Sequence, residues 1–372
     1  MVGLAHTLVA QVVISGNENK IDLLSGTSVV MTDAEPDSVS VIDFSKSPPS
    51  VQHLSGVANS VIGPPSNIAI TPNGKLALIA NSLKLDATAA TGWVPESYAH
   101  VLDLTEKPPR VVGRVGTGLQ PSGISISPDG RVALVANRAA GTVSVLRIDG
   151  NRVTRLRDVV VCEPELSISD VAISPDGKRA LASIQKGGYL AELTLSGEDL
   201  EPTGRKLSVY GQPYRCVITP DGELGLTAGQ GFGSPTDVDA LSVVDLTASP
   251  IRTVDHIPIG SGPESIEVSP DGKLVVAVVM NQSNLPPNDP NLSQSGGLVV
   301  LARRGKTFKK ILDLPVGRIP EGVAFTSDGK LLIVQSHPGR QLWVFSVDGE
   351  TVRDTGHRIS LPGMASSLRA AP

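Results

Sequence analysis

The sequence predicts an all-β chain, a seven-bladed β-propeller of four-stranded antiparallel blades. Three observations predict it. A short motif recurs six times, with turn glycines at Gly74, Gly130, Gly177, Gly222, Gly272 and Gly329, 45–57 residues apart. Such a period, with several short strands per unit, is the signature of propeller blades. Short Val- and Ile-rich runs alternate with turn residues, and long helix-forming runs are absent. The composition agrees: 38 Gly and 29 Pro stand against five Phe, two Trp and four Tyr.

The elements of one unit follow in order. Strand A is an Ile-x-Ile run, as in Ile124–Ile126. A Pro-Asp-Gly turn follows: Pro presets φ, Asp caps the turn and Gly takes a positive φ. Strand B is an apolar run such as Val132–Asn137, and strand C reads like Thr142–Leu146. Strand C often ends in Asp, as at Asp43, Asp103 and Asp245. Strand D alternates polar and apolar residues, as in Arg110–Val115.

Six complete units fill roughly residues 63 to 361, and the two ends supply the seventh. Ala10–Ser15 aligns with strand B, Ser38–Phe44 with strand C and Val51–Leu54 with strand D; Ala365–Ala370 supplies the missing strand A. Residues 1–372 therefore read as one domain. Blade 7 is shared between about 6–62 and 362–372 and closed by one C-terminal strand joining three N-terminal strands. Closure removes the free sheet edge, so a monomer is expected.

Composition narrows the function classes. The apolar share of 40% is enough for a large core. The net charge of −5 argues against nucleic acid as the partner. No apolar stretch approaches the ~18 residues that span a bilayer. The expected partner is a small molecule. The first nine residues carry no Lys or Arg and are too short for a secretory signal. Two origins fit: a cytoplasmic chain, or a trimmed leader with an added Met. Leu8-Val9-Ala10 leans towards the second, a periplasmic or secreted protein. Cys162 and Cys216 fall in different blades, and spacing alone leaves their pairing open.

The site is expected at the face where strand A begins and strand B ends. The Pro-Asp-Gly hairpins of the opposite face are nearly uniform and read as structural. Before or at the start of strand A lie Asn67, Asp170, Tyr214, Arg215, Glu264 and Glu321; strand B ends in Asn81, Asn137, Gln185, Asn281 and His337. These form a polar ring at the channel mouth. Four long loops, about Gly16–Asp37, Ser82–Ser97, Gly229–Asp239 and Asn281–Gly296, rise over it, with Trp93, Tyr98 and Phe232 as apolar surface. His337 is the candidate general base, since an imidazole titrates near neutral pH. The other reading of Asn81 and Asn137 is a cap on loop backbone, and of the two glutamates a solvated or Arg-paired carboxylate. His100 aligns with Ser40, Ser144, Ser242 and Trp343 and reads as interblade packing. Zinc-type and EF-hand spacings are missing, so the metal ligands are unknown. Oxygen-rich loops at Asp33–Asp37 and Asn284–Asp289 could hold Ca²⁺ or Mg²⁺.

The repeated Ser-Pro-Asp-Gly-Lys, Val-Ala-Asn and Thr-Val-Ser-Val-Ile-Asp pattern resembles the seven-bladed YVTN-type and lactonase-like propellers over nearly the whole chain. The resemblance implies either a lactonase-like enzyme (hydrolase, lyase or cyclase) on a small polar or anionic molecule, or a non-catalytic YVTN-type binding or scaffold propeller. In the first case His337 or Glu321 moves a proton, with Glu264 beside them, while Arg215 and Tyr214 hold an anionic oxygen. The bacterial 6-phosphogluconolactonases place His and Arg beside strand A in a Gly-Pro-Arg-His-type motif. This chain has Gly262-Pro263-Glu264-Ser265 there, so that family's residues do not carry over.

Overall fold

The computed structural model describes residues 11–59 and 62–372. The proposed leader boundary at Leu8-Val9-Ala10 lies outside them. Seven four-stranded antiparallel sheets are present, each in the order A-B-C-D. Blade 1 comprises Ile68–Ile70, Leu76–Leu85, Trp93–Asp103 and Arg110–Gly116. Blade 2 comprises Pro121–Ile126, Val132–Asn137, Thr142–Asp149 and Arg152–Val160. Blade 3 comprises Ile168–Ile173, Arg179–Ile184, Tyr189–Ser196 and Asp199–Ser208. Blade 4 comprises Gln212–Ile218, Leu224–Gln230, Asp239–Asp245 and Arg252–Gly260. Blade 5 comprises Pro263–Val268, Leu274–Val279, Gly296–Arg304 and Thr307–Val316. Blade 6 comprises Val323–Phe325, Leu331–Ser336, Gln341–Asp348 and Thr351–Ser360. Blade 7 takes strand A, Met364–Ala370, from the C-terminus and Val12–Glu18, Ser38–Asp43 and Ser50–Ser55 from the N-terminal side. Among the described residues no helix is long and apolar enough to cross a membrane.

The six hairpins share one chemistry. In each, a Ser or Thr hydroxyl (Thr71, Ser127, Ser174, Thr219, Ser269, Thr326) donates to Oδ1 of the residue two further on, at 2.5–2.8 Å. That Oδ1, from Asn73 or an Asp, accepts the backbone N–H two residues later at 3.0–3.1 Å. The hydroxyl also accepts the first N–H near the start of strand B at 2.9–3.1 Å. The turn glycines hold φ of 68–75°, which a side chain would oppose.

Strands B and C form the core. Val132–Asn137 and Leu274–Val279 are buried on both faces, because each blade packs between two others. Val, Leu, Ile and Ala fill the interblade layers. Cys162 and Cys216 are buried free thiols. A polar tier crosses this core near the mouth face. Asn17 Nδ2 donates to Ser40 Oγ at 2.9 Å, and Ser40 Oγ meets His53 Nδ1 at 2.8 Å. Asn137, Ser144 and Asp158 repeat the chain at 2.9 and 2.7 Å, and Ser242 with His256 repeats its outer half at 3.0 Å. His100 occupies the same column, buried edge-on to Tyr98, with ring centroids 5.2 Å apart.

The loop expected at 82–97 is built differently. Strands B and C of blade 1 stay paired to Leu85 and Trp93, leaving only residues 86–92 as the turn. The loop of blade 7 carries a small hairpin of its own, Ile21–Asp22 against Val29–Val30.

Candidate active site

Strand A is bulged in blades 2 to 5, and in blade 7, where Ser366 is the extra residue. The register shifts fall between Pro121 and Ile124, Ile168 and Asp170, Pro213 and Cys216, and Pro263 and Ser265. Pro263 pairs with Val279 and Ser265 with Val278, so Glu264 is the extra residue. A bulge re-aims side chains. A Pro at or just before the bulge fits, since Pro cannot donate to the ladder.

Glu264 and Glu321, from adjacent blades, line a cavity of about 200 Å³ together with Tyr214 and Arg138. Gly63 and Met280 complete its walls, and Leu23, Thr27 and Ser28, from the turn of the 21–30 hairpin, line it too. Burial raises the Glu264 carboxyl to about 8, although Gln230 Nε2 donates to it at 3.1 Å. Glu321, only 2% exposed, is raised well above the carboxylate range by burial, then by Glu264 and Glu18. Two buried acids lining one cavity, the charge of one opposing ionisation of the other, do not both ionise near neutral pH. Burial, reinforced by Glu264, raises the Tyr214 phenol and keeps it neutral, while the Gly63 N–H donates to it. Arg138 donates through Nη2 to Gln185. Its Nη1 and Glu321 Oε1 are buried and have no partner among the described residues. Two of the cavity's lining residues thus carry a buried polar atom that no described residue satisfies, and such groups are costly unless something pairs them.

The hairpin over this cavity is anchored at its base. Glu18, fully buried, accepts the N–H of Lys20 at 3.2 Å and of Ile21 at 3.1 Å. Asp37 accepts the N–H of Asn19 and of Asn59, both at 3.1 Å, and pairs with Lys20. Burial pushes Glu18 up to about 8.

The other predicted residues sit elsewhere. Arg215, 1% exposed, turns along the channel, donating to Ser265 Oγ at 2.8 Å and pairing with Glu267 at 2.5 Å. It does not line the cavity. Asp170 belongs to that deeper network: it accepts the Cys216 N–H at 3.0 Å, and burial lifts it to about 6 against the pull of Arg215 and Arg369. His337 is fully buried, with Nδ1 at 2.8 Å from the Ala365 carbonyl, and burial lowers it to about 4. An imidazole that weakly basic is a poor proton acceptor at neutral pH, and it does not line the cavity. Asn137 is committed to Thr142 and Ser144, Asn81 to Tyr98, and Asn67 to the Ala80 carbonyl. Asn281 Oδ1 accepts the Ser261 N–H at 3.2 Å, and Gln185 orients Arg138. Trp93 pairs opposite Leu85, Tyr98 lies under Arg114, and Phe232 is exposed; none reaches the cavity. Among the described residues no three His, Cys, Asp or Glu side chains converge as a metal site.

Arg138 lines the cavity but is not among the ring residues expected from the sequence. It stands one residue beyond the end of strand B in blade 2, just past the positions read as the ring. A basic residue directly after a strand-B amide was the available signal.

No family model and no curated protein matches the chain. Solved structures do. It is similar to a putative 6-phosphogluconolactonase from Bacteroides uniformis, with a TM-score of 0.72 and 16% identity over 96% of this chain and 98% of that one. A second, from Bacteroides fragilis, gives 0.72 and 15% over 100% of both chains. The periplasmic gluconolactonase of Pseudomonas aeruginosa gives 0.65 and 17% over 97% and 99%. At these identities the likeness is one of architecture, and the chain shares the seven-bladed propeller fold of these structures.

Proposed function

We propose that this propeller is a hydrolase that opens a small cyclic ester at the channel mouth. The observation that supports it is one cavity lined by two buried acids of raised pKa, Glu264 and Glu321, together with Arg138 and Tyr214, with Arg138 Nη1 and Glu321 Oε1 unpartnered among the described residues. The fold neighbours named for lactone hydrolysis give the reading its substrate class.

The pair divides the work. Its ionised member, Glu264, takes a proton from water as the water oxygen bonds to the ester carbon. Arg138 Nη1 and the neutral Tyr214 hydroxyl donate to the oxyanion that develops on the former carbonyl oxygen. When the ring C–O bond breaks, the proton held by Glu264 passes to the departing oxygen. The products are one carboxylic acid and one hydroxyl, joined in a single open chain. Glu321, protonated beside Glu264, keeps the second negative charge out of the site.

A panel of aliphatic and sugar lactones with purified protein tests the reading. Hydrolysis that falls 10²- to 10⁴-fold in Glu264→Gln, the range typical of general acid–base groups, is the expected result. A flat panel would overturn it in favour of a binding propeller.

A further inference from the structure

The candidate site has a second arm. A cavity of about 300 Å³ adjoins the first along Glu264, Met280 and Asn284, and Asp237, Asp239 and Gln282 line its far side. Arg138 is the one basic residue among those lining the two, against Glu264, Glu321, Asp237 and Asp239. Among the described residues no cation hydrogen-bonds to the two aspartates. Asp239 accepts the N–H of Gly231 at 2.6 Å and of Gly262 at 2.8 Å, and Asp237 that of Ser234 at 2.8 Å. The single cation lining the two cavities thus belongs to the first, with Tyr214 and Glu321, and not to the arm.

We infer that the substrate is an uncharged, hydroxyl-rich lactone whose hydroxyl-bearing tail lies in this acidic arm, and that phosphorylated counterparts are refused. The inference rests on the hydrolase reading above. Hydroxyls donate, and carboxylates and amide oxygens accept. A phosphate group brings a charge of about −1.5 to −2 and only acceptor oxygens. In the arm it would face acidic side chains, the like-charge juxtaposition that serves specificity by rejection.

The test compares D-glucono-1,5-lactone with its 6-phosphate as substrates, and gluconate with 6-phosphogluconate as ligands by calorimetry. The expected result is at least a tenfold advantage for the uncharged compound in kcat/KM and for gluconate in Kd. Asp237→Lys, a change on an exposed loop, is expected to narrow that ratio at least tenfold, and Asp237→Asn to narrow it less. If neither lactone turns over but gluconate still binds at least tenfold tighter, the hydrolase reading falls and the charge selection stands. Equal or better use of the phosphorylated compound, binding of neither acid, or a ratio unmoved in Asp237→Lys would overturn the inference.

Discussion

At the scale of the residue, burial decides what each acid can do. Glu18 and Glu264 both lie near 8, far above the ordinary 4.5. Between those values the folded chain holds protons that the unfolded chain has released, so stability falls as pH rises through that window. Thermal melts should therefore give a higher Tm near pH 5 than near pH 8, and Glu18→Gln should flatten the slope. Activity should run the other way, increasing towards pH 8 as Glu264 ionises, with that limb lost in Glu264→Gln. Arg138→Met should lower kcat by about 10²- to 10³-fold, the usual effect of removing one oxyanion donor. Arg215→Met should act mainly on stability, since its partner is Glu267. A paired comparison of kcat and Tm for the two arginine variants checks this. The sequence made Glu264, Glu321 and Tyr214 visible because each breaks the small-residue pattern before strand A. It could not show that Arg215, next to Tyr214, reaches Ser265 and Glu267 instead, because the bulge that holds both residues is a backbone event.

At the scale of the element, the hairpins were legible almost atom by atom, since Ser/Thr-Pro-Asp-Gly writes its own hydrogen bonds. Thr219 is fully buried and holds both Asp221 and the Leu224 N–H. Thr219→Val leaves that N–H without its partner and should cost about 1–3 kcal/mol in denaturant unfolding, while sparing the mouth on the opposite face. Loop structure was harder to read. Residues 82–97 carry few turn signals inside two extended strands, and the 21–30 hairpin is too short to announce itself by alternation. Both are settled by tertiary contact: Gly92 packs against Val30, and Gly26 against Pro286.

At the scale of the whole molecule, closure was read from a missing strand at one end and a surplus one at the other. The seam is specific. Gln335 donates to Ser15 Oγ at 2.8 Å and to the Ser367 carbonyl at 2.7 Å, and accepts the Gly322 N–H at 2.9 Å. Ending the chain at Gly363 would strip the inner strand from blade 7 and expose a paired edge. Loss of the cooperative melt and association on a sizing column are the expected outcomes. The cavity draws on residues from Leu23 to Glu321, contributed by blades 2, 4, 5, 6 and 7. No fragment released early from the ribosome carries both its walls and a closed ring around them. Ligand affinity would thus report on ring closure itself, because it needs the five contributing blades held in one circle by the pairing of Met364–Ala370 with Val12–Glu18.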